Sequence, residues 1–293
     1  MRRLAVIAAA VAAWALAPAG GDAAGSVLVA RDATRITLAV DGKGRALVTY
    51  RAGGKLHRVL AWGAVDDAID MRLDYAGGYG AFGAPVWKTF RDVSRPYTGP
   101  RLPYLVRART APDGSHWALQ VWRRSLPNQG AAPRDRLDAA LELRLSHWQG
   151  ELPKLEAWAG WVMRGRYRHL FGRLTYRGEG VFGYRNTPSG VPLDPYSRNV
   201  YLDTYDSAYG PGWERENAFL THRPRGNFCY GFYPRGSTPG IGSRYRLSAI
   251  GPGATPDVTW IGADPGEYDA ARDADLNAVG RQIAGDDPRC QKP

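Results

Sequence analysis

Four carboxylates between residues 198 and 217 are the side chains best suited to catalysis. Asp203 and Asp206, or Glu214 and Glu216, could supply the general acid and the nucleophile or base that cleave a glycosidic bond. Arginines that could pair with these acids are close in sequence: Arg198, Arg215 and Arg223. Because spacing in sequence does not fix the distance between two carboxylates, structural ion pairs are the favoured explanation and hydrolysis is the alternative.

Aromatic side chains recur at every fourth position of the same segment: Tyr201, Tyr205, Tyr209 and Trp213. The glycine-proline-glycine sequence at 210–212 would break a helix, so we predict a strand that runs into a loop. A strand face with these rings suits a sugar, because the rings stack on its C–H groups while polar side chains bind its hydroxyls. The predicted binding residues are Arg198, Asn199, Tyr201, Asp203, Tyr205, Tyr209 and Trp213. The alternative is ordinary packing, since aromatic residues are favoured in strands.

The remaining histidines, serines and glycines do not form a recognisable site. The five histidines lack the spacing of metal ligands, and the CxxC and HxxxH patterns are absent. No GxSxG motif and no phosphate-binding loop occurs. We therefore predict no metal site and no cofactor.

The two cysteines of the chain, Cys229 and Cys290, predict one disulfide. An even number of cysteines in an oxidising compartment usually means that they are paired. Such a bridge would anchor the C-terminal segment, which would otherwise fray.

The first 24 residues have the pattern of a secretory signal peptide. Arg2 and Arg3 form a basic region, residues 4–16 are apolar, and small residues follow. The apolar run is too short to span a membrane, which takes about 20 residues. We predict cleavage between Ala19 and Ala24, secretion to the extracellular space or the cell wall, and no stable membrane insertion afterwards.

The formal net charge of +11 comes almost entirely from arginine. The arginines are scattered along the chain and form no basic run, so a nucleic acid is not a predicted partner. An extracellular polysaccharide or an anionic cell-wall polymer is the predicted partner, because a positive surface attracts polyanions. A GC-rich genome would produce the same excess of arginine without a functional consequence, and this is the favoured explanation of the bias.

Short alternating apolar segments separated by glycine and proline predict an all-β fold. A meander is predicted at residues 35–62, a hairpin at 104–122, and further strands from 137 to 260. Residues 125–135 are rich in turn formers and predict a domain boundary. The expected architecture is two antiparallel β-sandwich-like domains, or one extended sandwich, with a short C-terminal helix.

The predicted organisation has four parts: a signal peptide (1–24), an N-terminal β domain (25–135), a C-terminal β-sandwich domain (136–263), and a helix with a tail (264–293). The helix is predicted to start with Asp264 as its N-cap, followed by Pro265 and Glu267, and to end at Gly285. The apolar stripe predicted to pack on the sandwich consists of Tyr268, Ala271, Leu276, Val279 and Ile283.

Two segments resemble known groups of proteins. Residues 172–183, GRLTYRGEGVFG, resemble the opening of transthyretin-like and carboxypeptidase-regulatory β-sandwich domains, which implies a non-catalytic domain. Residues 198–217, RNVYLDTYDSAYGPGWEREN, are similar to stretches of uncharacterised secreted actinobacterial proteins, which implies secretion and no particular activity.

We expect a secreted, non-catalytic β-sandwich protein that binds a cell-envelope or extracellular glycan. The alternatives are a carbohydrate-active hydrolase that uses the paired carboxylates, and a structural or protein-interaction domain without a small ligand. Ring faces exposed together on one surface would favour binding, and buried rings would favour the structural role. Two carboxyl groups about 5 to 10 Å apart in a groove would favour hydrolysis.

Overall fold

Strands dominate the structure of this chain. The computed structural model describes residues 26–63, 73–75, 88–123, 140–162, 164–176, 179–180, 185–186, 192–193, 199–207, 210–215, 219–222, 227–231, 242–250 and 255–284. Within these ranges the strands form four antiparallel sheets, and a helix follows them. The predicted all-β, sandwich-like fold with a short C-terminal helix is therefore confirmed.

Sheets A and B form the first sandwich. Sheet A contains β1 (Val27–Arg31), β6 (Arg95–Pro96), β7 (Leu105–Thr110), β8 (His116–Arg123) and β9 (Leu141–Trp148). Its strand order is β1-β9-β8-β7-β6. Sheet B is a meander of β2 (Thr34–Val40), β3 (Ala46–Ala52), β4 (Lys55–Gly63) and β5 (Leu73–Tyr75). Strand β9 follows the boundary predicted at residues 125–135, yet it pairs with β8 and β1 of the first sandwich.

Alternation along the strands builds the core of the first sandwich. Trp117 and Leu119 of β8 and Leu143 and Leu145 of β9 point to sheet B, and all four side chains are fully buried. The residues that they meet in sheet B alternate in the same way: Leu38, Val40, Val48, Tyr50, Val59 and Ala61. Burying a large apolar side chain stabilises a fold by about 1.5 to 3 kcal/mol, so this layer is a major source of stability.

Sheets C and D form the second sandwich. Sheet C contains β10 (Lys154–Val162), β11 (Tyr167–Tyr176), β12 (Glu179–Gly180), β17 (Phe219–His222) and β18 (Asn227–Gly231). Sheet D contains β13 (Arg185–Asn186), β14 (Pro192–Leu193), β15 (Asn199–Ser207), β16 (Gly210–Arg215), β19 (Arg244–Ile250) and β20 (Val258–Ala263). The order is β10-β11-β18-β17 in sheet C, with β12 beside β11, and β13-β14-β15-β19-β20 in sheet D, with β16 beside β15.

Sheet D has one apolar face and one polar face. The apolar face packs on sheet C and includes Leu202, Tyr245, Leu247, Ala249 and Val258. Its partners in sheet C are Leu155, Ala157, Ala159, Leu170 and Leu174. The intervening residues of β19 are Arg244, Arg246 and Ser248, and they point to the opposite face because successive side chains of a strand alternate. That polar face is turned towards sheet A.

Sheet A is covered on both of its faces. The face turned away from sheet B carries polar side chains that are less than one tenth exposed: Gln120, Glu142, Arg144 and Ser146. Ser146 donates a hydrogen bond to the carbonyl oxygen of Thr255 at 3.2 Å, and the side-chain amide of Gln120 bonds both backbone groups of Asp257 at 3.0 Å. The sheets are therefore stacked in the order B, A, D, C, with a polar layer between A and D.

The C-terminal helix begins later than the sequence predicts. Helix α1 spans Ala270–Ala284, and Asp269 is its N-cap, since its Oδ1 accepts a hydrogen bond from the backbone N–H of Arg272 at 2.7 Å. The carboxylate of Asp264 instead accepts a hydrogen bond from the backbone N–H of Gly266 at 2.7 Å and pairs with Arg168 at 2.9 Å. The predicted N-cap is thus used to fix the loop that precedes the helix.

Helix α1 packs on sheet C through a glycine. A Cβ placed on Gly280 would lie 2.5 Å from atoms of the Trp158 ring, so the helix comes too close there for a side chain. Three residues of the predicted stripe, Tyr268, Ala271 and Val279, are exposed, whereas Leu276 is half-buried. In the described part of the chain, no helix is long and apolar enough to cross a membrane.

Candidate functional site

A cleft of about 500 Å³ lies between sheet A and the polar face of sheet D. This volume is within the range of about 300 to 1,000 Å³ that is usual for small-ligand sites. The first sandwich contributes Tyr104, Val121, Trp122, Arg123 and Leu141 to its lining. The second sandwich contributes Asp203, Trp213, Glu214, Arg215 and Arg246. We refer to it as the central cleft.

The strand register places Asp203 between two arginines. Asp203 in β15 lies opposite Arg215 in β16 and opposite Arg246 in β19, and residues opposite each other share a face of the sheet. Its Oδ1 is 2.9 Å from Nε of Arg215, and its Oδ2 is 2.9 Å from Nη2 of Arg246. Asp203 is only 3% exposed, so both of its oxygens are held in ion pairs that salt in the solvent screens weakly.

Two aromatic rings orient the arginines of the same face. Tyr205 lies opposite Trp213 and Arg244 in the register, and the two rings meet edge to face with 5.1 Å between centroids. The guanidinium carbon of Arg244 is 4.2 Å from the Tyr205 centroid, and that of Arg246 is 4.6 Å from the Trp213 centroid. Cation–π attraction at these distances holds the guanidinium groups over the rings.

Trp122 connects this arginine cluster to sheet A. The residue is 3% exposed, and the guanidinium carbons of Arg144 and Arg215 each lie 5.9 Å from its ring centroid. Arg144 belongs to sheet A and pairs with Glu142 at 2.6 Å, whereas Arg215 belongs to sheet D. One indole ring therefore lies between cations from both sandwiches.

The carboxylates proposed for catalysis do not form a pair of free acids. Both oxygens of Asp203 are bound by arginines. Asp206 is exposed at a left-handed position, with φ of 49°, and accepts a hydrogen bond from the backbone N–H of Gly212 at 2.7 Å. Glu214 lies at the edge of the cleft but opposite Thr204, so its side chain leaves β16 on the other face from Asp203. This geometry fits ion pairing and a turn.

Three of the predicted binding side chains meet at this site. Asp203 and Trp213 line the central cleft, and Tyr205 contacts Trp213 beside it. Asn199 and Tyr201 are positions of β15, paired with Ile250 and Ser248 of β19. The other predicted residues, Arg198, Tyr209 and Glu216, lie outside the described residues.

The predicted disulfide and signal peptide also involve residues that the structure does not describe. Cys229 is a position of β18 opposite Phe171, but Cys290 and residues 1–24 lie outside the described ranges. Both features therefore stay predictions. In the described ranges, no three or more His, Cys, Asp or Glu residues are grouped so that they could bind a metal ion.

No protein-family model, curated protein or solved structure matches this chain. The resemblance of residues 172–183 to transthyretin-like and carboxypeptidase-regulatory domains, and that of residues 198–217 to uncharacterised proteins, therefore stay predictions. The chemistry of the central cleft is what bears on the function.

Seven residues of the cleft were not among the predicted site residues: Tyr104, Val121, Trp122, Arg123, Leu141, Arg215 and Arg246. For Arg246 the sequence does contain a signal, because polar and apolar residues alternate from Arg244 to Ala249 in β19 and indicate a strand with one polar face. Tyr104 and Trp122 carry no comparable signal. They reach the cleft because sheet A is stacked on sheet D, which a pattern within one strand does not indicate.

Proposed function

We propose that this chain is a secreted, non-catalytic β-sandwich protein that binds an acidic extracellular polysaccharide in the central cleft. The observation that carries the proposal is the Asp203 carboxylate, which is bound by Arg215 and Arg246 inside the cleft. The guanidinium groups are thus already oriented to bind carboxylates. A uronic-acid sugar carries the same group.

The cations of the cleft support an anionic ligand. Arg123, Arg215 and Arg246 line it together with Asp203, whereas the Glu214 side chain leaves β16 on the other face, so the positive side chains are in excess. Arginine presents a planar fork of donors that binds a carboxylate through two parallel hydrogen bonds. The net positive charge of the chain, formally +11 with the signal peptide included, would also attract a polyanion to the surface before it reaches the cleft.

The aromatic lining supports a carbohydrate. Tyr104, from the first sandwich, and Trp213, from the second, are both half-buried at the cleft. A sugar ring combines apolar C–H groups with hydroxyls, and a cleft that has both aromatic rings and charged donors complements it.

The arrangement of acids supports binding without hydrolysis. A glycosidase needs one carboxylate that donates a proton and another that attacks or activates water, both directed at the same bond. Asp203 has both oxygens in ion pairs, and Glu214 belongs to the opposite strand face. These two acids of the cleft are therefore poorly suited to share one glycosidic bond.

The test is isothermal titration calorimetry of the protein with polygalacturonate and with its fully methyl-esterified form, which has the same backbone without the charge. We expect binding of the acid form alone, weakened by added salt. Arg123→Gln, at an exposed residue of the cleft, should weaken binding about tenfold, since it removes one charge-assisted hydrogen bond. Trp213→Ala should also weaken binding, because Arg246 loses its ring support.

The matched control is Arg51→Gln, which removes an exposed arginine of sheet B, on the far side of sheet A from the cleft. Equal loss in Arg51→Gln and Arg123→Gln, or equal binding of the methyl ester, would contradict a specific site. Release of reducing ends from polygalacturonate that is lost in Glu214→Gln would replace the proposal with hydrolysis.

Export and the disulfide belong to the same proposal and have direct tests. Secretion predicts that protein from a culture supernatant starts between residues 20 and 25. A bridge between Cys229 and Cys290 predicts that no free thiol is labelled in the unreduced, denatured protein. An intact Met1 in the supernatant, or two labelled thiols, would contradict these parts.

A further inference from the structure

A second cavity of about 580 Å³ adjoins the central cleft. Tyr104 and Arg246 line both cavities, so these two residues form the partition between them. We refer to the second one as the side cavity. Like the central cleft, it lies between the sandwiches, since the segment before β7 forms one wall and strands β10 and β20 form another.

The side cavity is positively charged. Among the described residues, its lining contains three cationic side chains, Arg101, Lys154 and Arg246, and no carboxylate. Lys154 pairs with Glu156 at 2.7 Å, but the lysine side chain is 68% exposed, and such surface pairs contribute little. Arg101 is exposed and has no ion pair within the described part of the chain. A second anionic group can therefore be bound on this side of the partition.

The partition is held in a strained conformation. Tyr104 has φ of 55°, a left-handed value that is rare for a bulky residue and costs of the order of 1 kcal/mol or more. The backbone is fixed there from both sides, because the carbonyl of Pro103 accepts a hydrogen bond from Gln120 at 2.7 Å and that of Tyr104 accepts one from the N–H of Val121 at 2.9 Å. Strain that the surroundings maintain is common at ligand sites.

The Tyr104 ring lies between the two cavities. Its hydroxyl is 3.1 Å from the hydroxyl of Ser248 in sheet D, and the guanidinium carbon of Arg246 is 5.8 Å from its ring centroid. The ring thus bridges the gap between the sandwiches at one point and leaves open space on each side of it. A rigid aromatic ring with a cation beside it can contact one sugar of a chain and one acidic group at once.

We propose that the central cleft and the side cavity are two subsites of one groove for an extended polyanion, and that Tyr104 and Arg246 contact the sugar between them. This proposal rests on the proposed function and adds the length of the ligand. Each cavity has the volume of a small-ligand site, so the groove takes an oligosaccharide with acidic groups on both sides of Tyr104. Once one subsite is occupied, the same oligosaccharide reaches the second subsite in an intramolecular step. This raises the overall affinity although no single contact becomes stronger.

The experiment compares the binding of a trisaccharide and an octasaccharide of galacturonate by calorimetry. We expect the octasaccharide to bind the unaltered protein more than about tenfold more tightly. The double variant Arg101→Gln/Lys154→Gln should lose most of that gain and weaken the octasaccharide more than the trisaccharide. The matched control, Arg51→Gln/Lys55→Gln, removes one exposed arginine and one exposed lysine of sheet B and should retain the gain.

The outcomes separate this inference from the proposed function. Equal affinities of the two oligosaccharides, or equal losses for both in the Arg101→Gln/Lys154→Gln variant, would overturn the two-subsite groove while binding in the central cleft still holds. The same loss in the sheet B control would also overturn it, since charge alone would then explain the gain. If neither oligosaccharide nor polygalacturonate binds, the proposed function itself fails, and the groove fails with it.

Discussion

The layers inside the two sandwiches and the layer between the sandwiches are built from different chemistry. Between sheets A and B the contacts are apolar, with Trp117 and Leu143 fully buried. Between sheets A and D the buried side chains are mostly polar, such as Gln120 and Asp203. Hydrophobic burial is non-directional, whereas hydrogen bonds and ion pairs require fixed partners. The inner layers therefore provide stability, and the layer between the sandwiches fixes orientation and leaves room for a ligand.

This difference comes from the alternation of side chains in sheets A and D. Each of these two sheets has one face in an apolar core and the other face in the polar layer. In β9, for example, Leu143 and Leu145 belong to the core, while Glu142 and Arg144 belong to the polar layer. A one-residue slip of such a strand would exchange the two sets, so the register is strongly specified.

The largest effect is expected from Trp117→Ala in the core of the first sandwich. The Trp117 ring is fully buried, stacks on His147 with 3.7 Å between centroids, and donates a hydrogen bond to the carbonyl of Gly44 at 3.1 Å. Its truncation should lower the free energy of unfolding by about 3 to 5 kcal/mol, measured by urea denaturation. If Trp117→Ala lowered the free energy of unfolding by less than a substitution in the polar layer does, the conclusion that the inner layers provide most of the stability would be wrong.

A smaller loss is expected from Asp203→Ala in the polar layer. The substitution leaves Arg215, which is 8% exposed, without its carboxylate partner and should cost about 3 kcal/mol. The triple variant Asp203→Leu/Arg215→Met/Arg246→Met should recover most of this stability, because buried ion pairs can be replaced by apolar groups. If the triple variant is no more stable than Asp203→Ala, the ion pairs themselves stabilise the fold.

Gln120→Leu should have a still smaller effect. The side-chain amide donates to the carbonyls of Pro103 and Asp257 at 2.7 and 3.0 Å and accepts a hydrogen bond from the N–H of Asp257 at 3.0 Å. Leucine has a similar volume and leaves no large cavity. The expected loss of about 2 kcal/mol in the free energy of unfolding therefore comes from the backbone groups that lose their hydrogen-bond partners. Unfolding in urea measures the loss, and Gln120→Ala shows the added cost of a cavity. An unchanged midpoint in Gln120→Leu would mean that packing alone joins the sandwiches.

The smallest effect concerns His116, at the apolar end of the second face of sheet A. Its ring lies 5.2 Å from that of Tyr97 and 5.3 Å from that of Trp148, and burial lowers the pKa of His116 below its usual value of 6.5. Well above pH 6.5 the imidazole is neutral in both the folded and the unfolded chain, so the full contribution of His116 to the free energy of unfolding is present there. As the pH falls below that value, the unfolded chain takes up the proton first, and the folded protein loses stability.

The comparison that reveals this effect is between the unaltered protein and His116→Gln. Urea denaturation at a series of pH values should show a steeper loss below pH 6.5 in the unaltered protein than in the variant. Parallel curves for the two proteins would mean that His116 is equally solvated in the folded and the unfolded chain. That result would mean that His116 is not buried against the rings of Tyr97 and Trp148.

Five strands of the first sandwich, β2, β3, β4, β7 and β8, could be predicted closely from the sequence. The predicted meander at 35–62 corresponds to β2, β3 and β4, and the predicted hairpin at 104–122 corresponds to β7 and β8. Period-two alternation and turn residues are local signals, and they determine these elements. The start of helix α1 was harder to predict from the sequence. Asp264 and Asp269 are both acceptable N-caps, and a long-range contact decides between them. Asp264 pairs with Arg168, which is distant in sequence.

The candidate site was only partly predictable, for a related reason. Asp203, Tyr205 and Trp213 follow from the pattern of one strand and its turn, and the structure places them together. Their partner Arg246 is 43 residues from Asp203, and Tyr104 and Trp122 come from the other sandwich. These contacts depend on how whole sheets stack. Sequence patterns report the face of a strand but not which sheet that face will meet.

The short connection between β9 and β10 bears on how the two sandwiches stay together. Residues 149–153 are the direct covalent link from sheet A to sheet C, and each residue extends by at most about 3.6 Å. The two bodies are thus tethered within about 20 Å at this point, which corresponds to an effective concentration in the millimolar range or above. A contact that is too weak to join two separate domains is therefore strong enough to keep the two tethered sandwiches in contact. The polar layer can therefore hold the two sandwiches together even if its own contacts contribute little free energy.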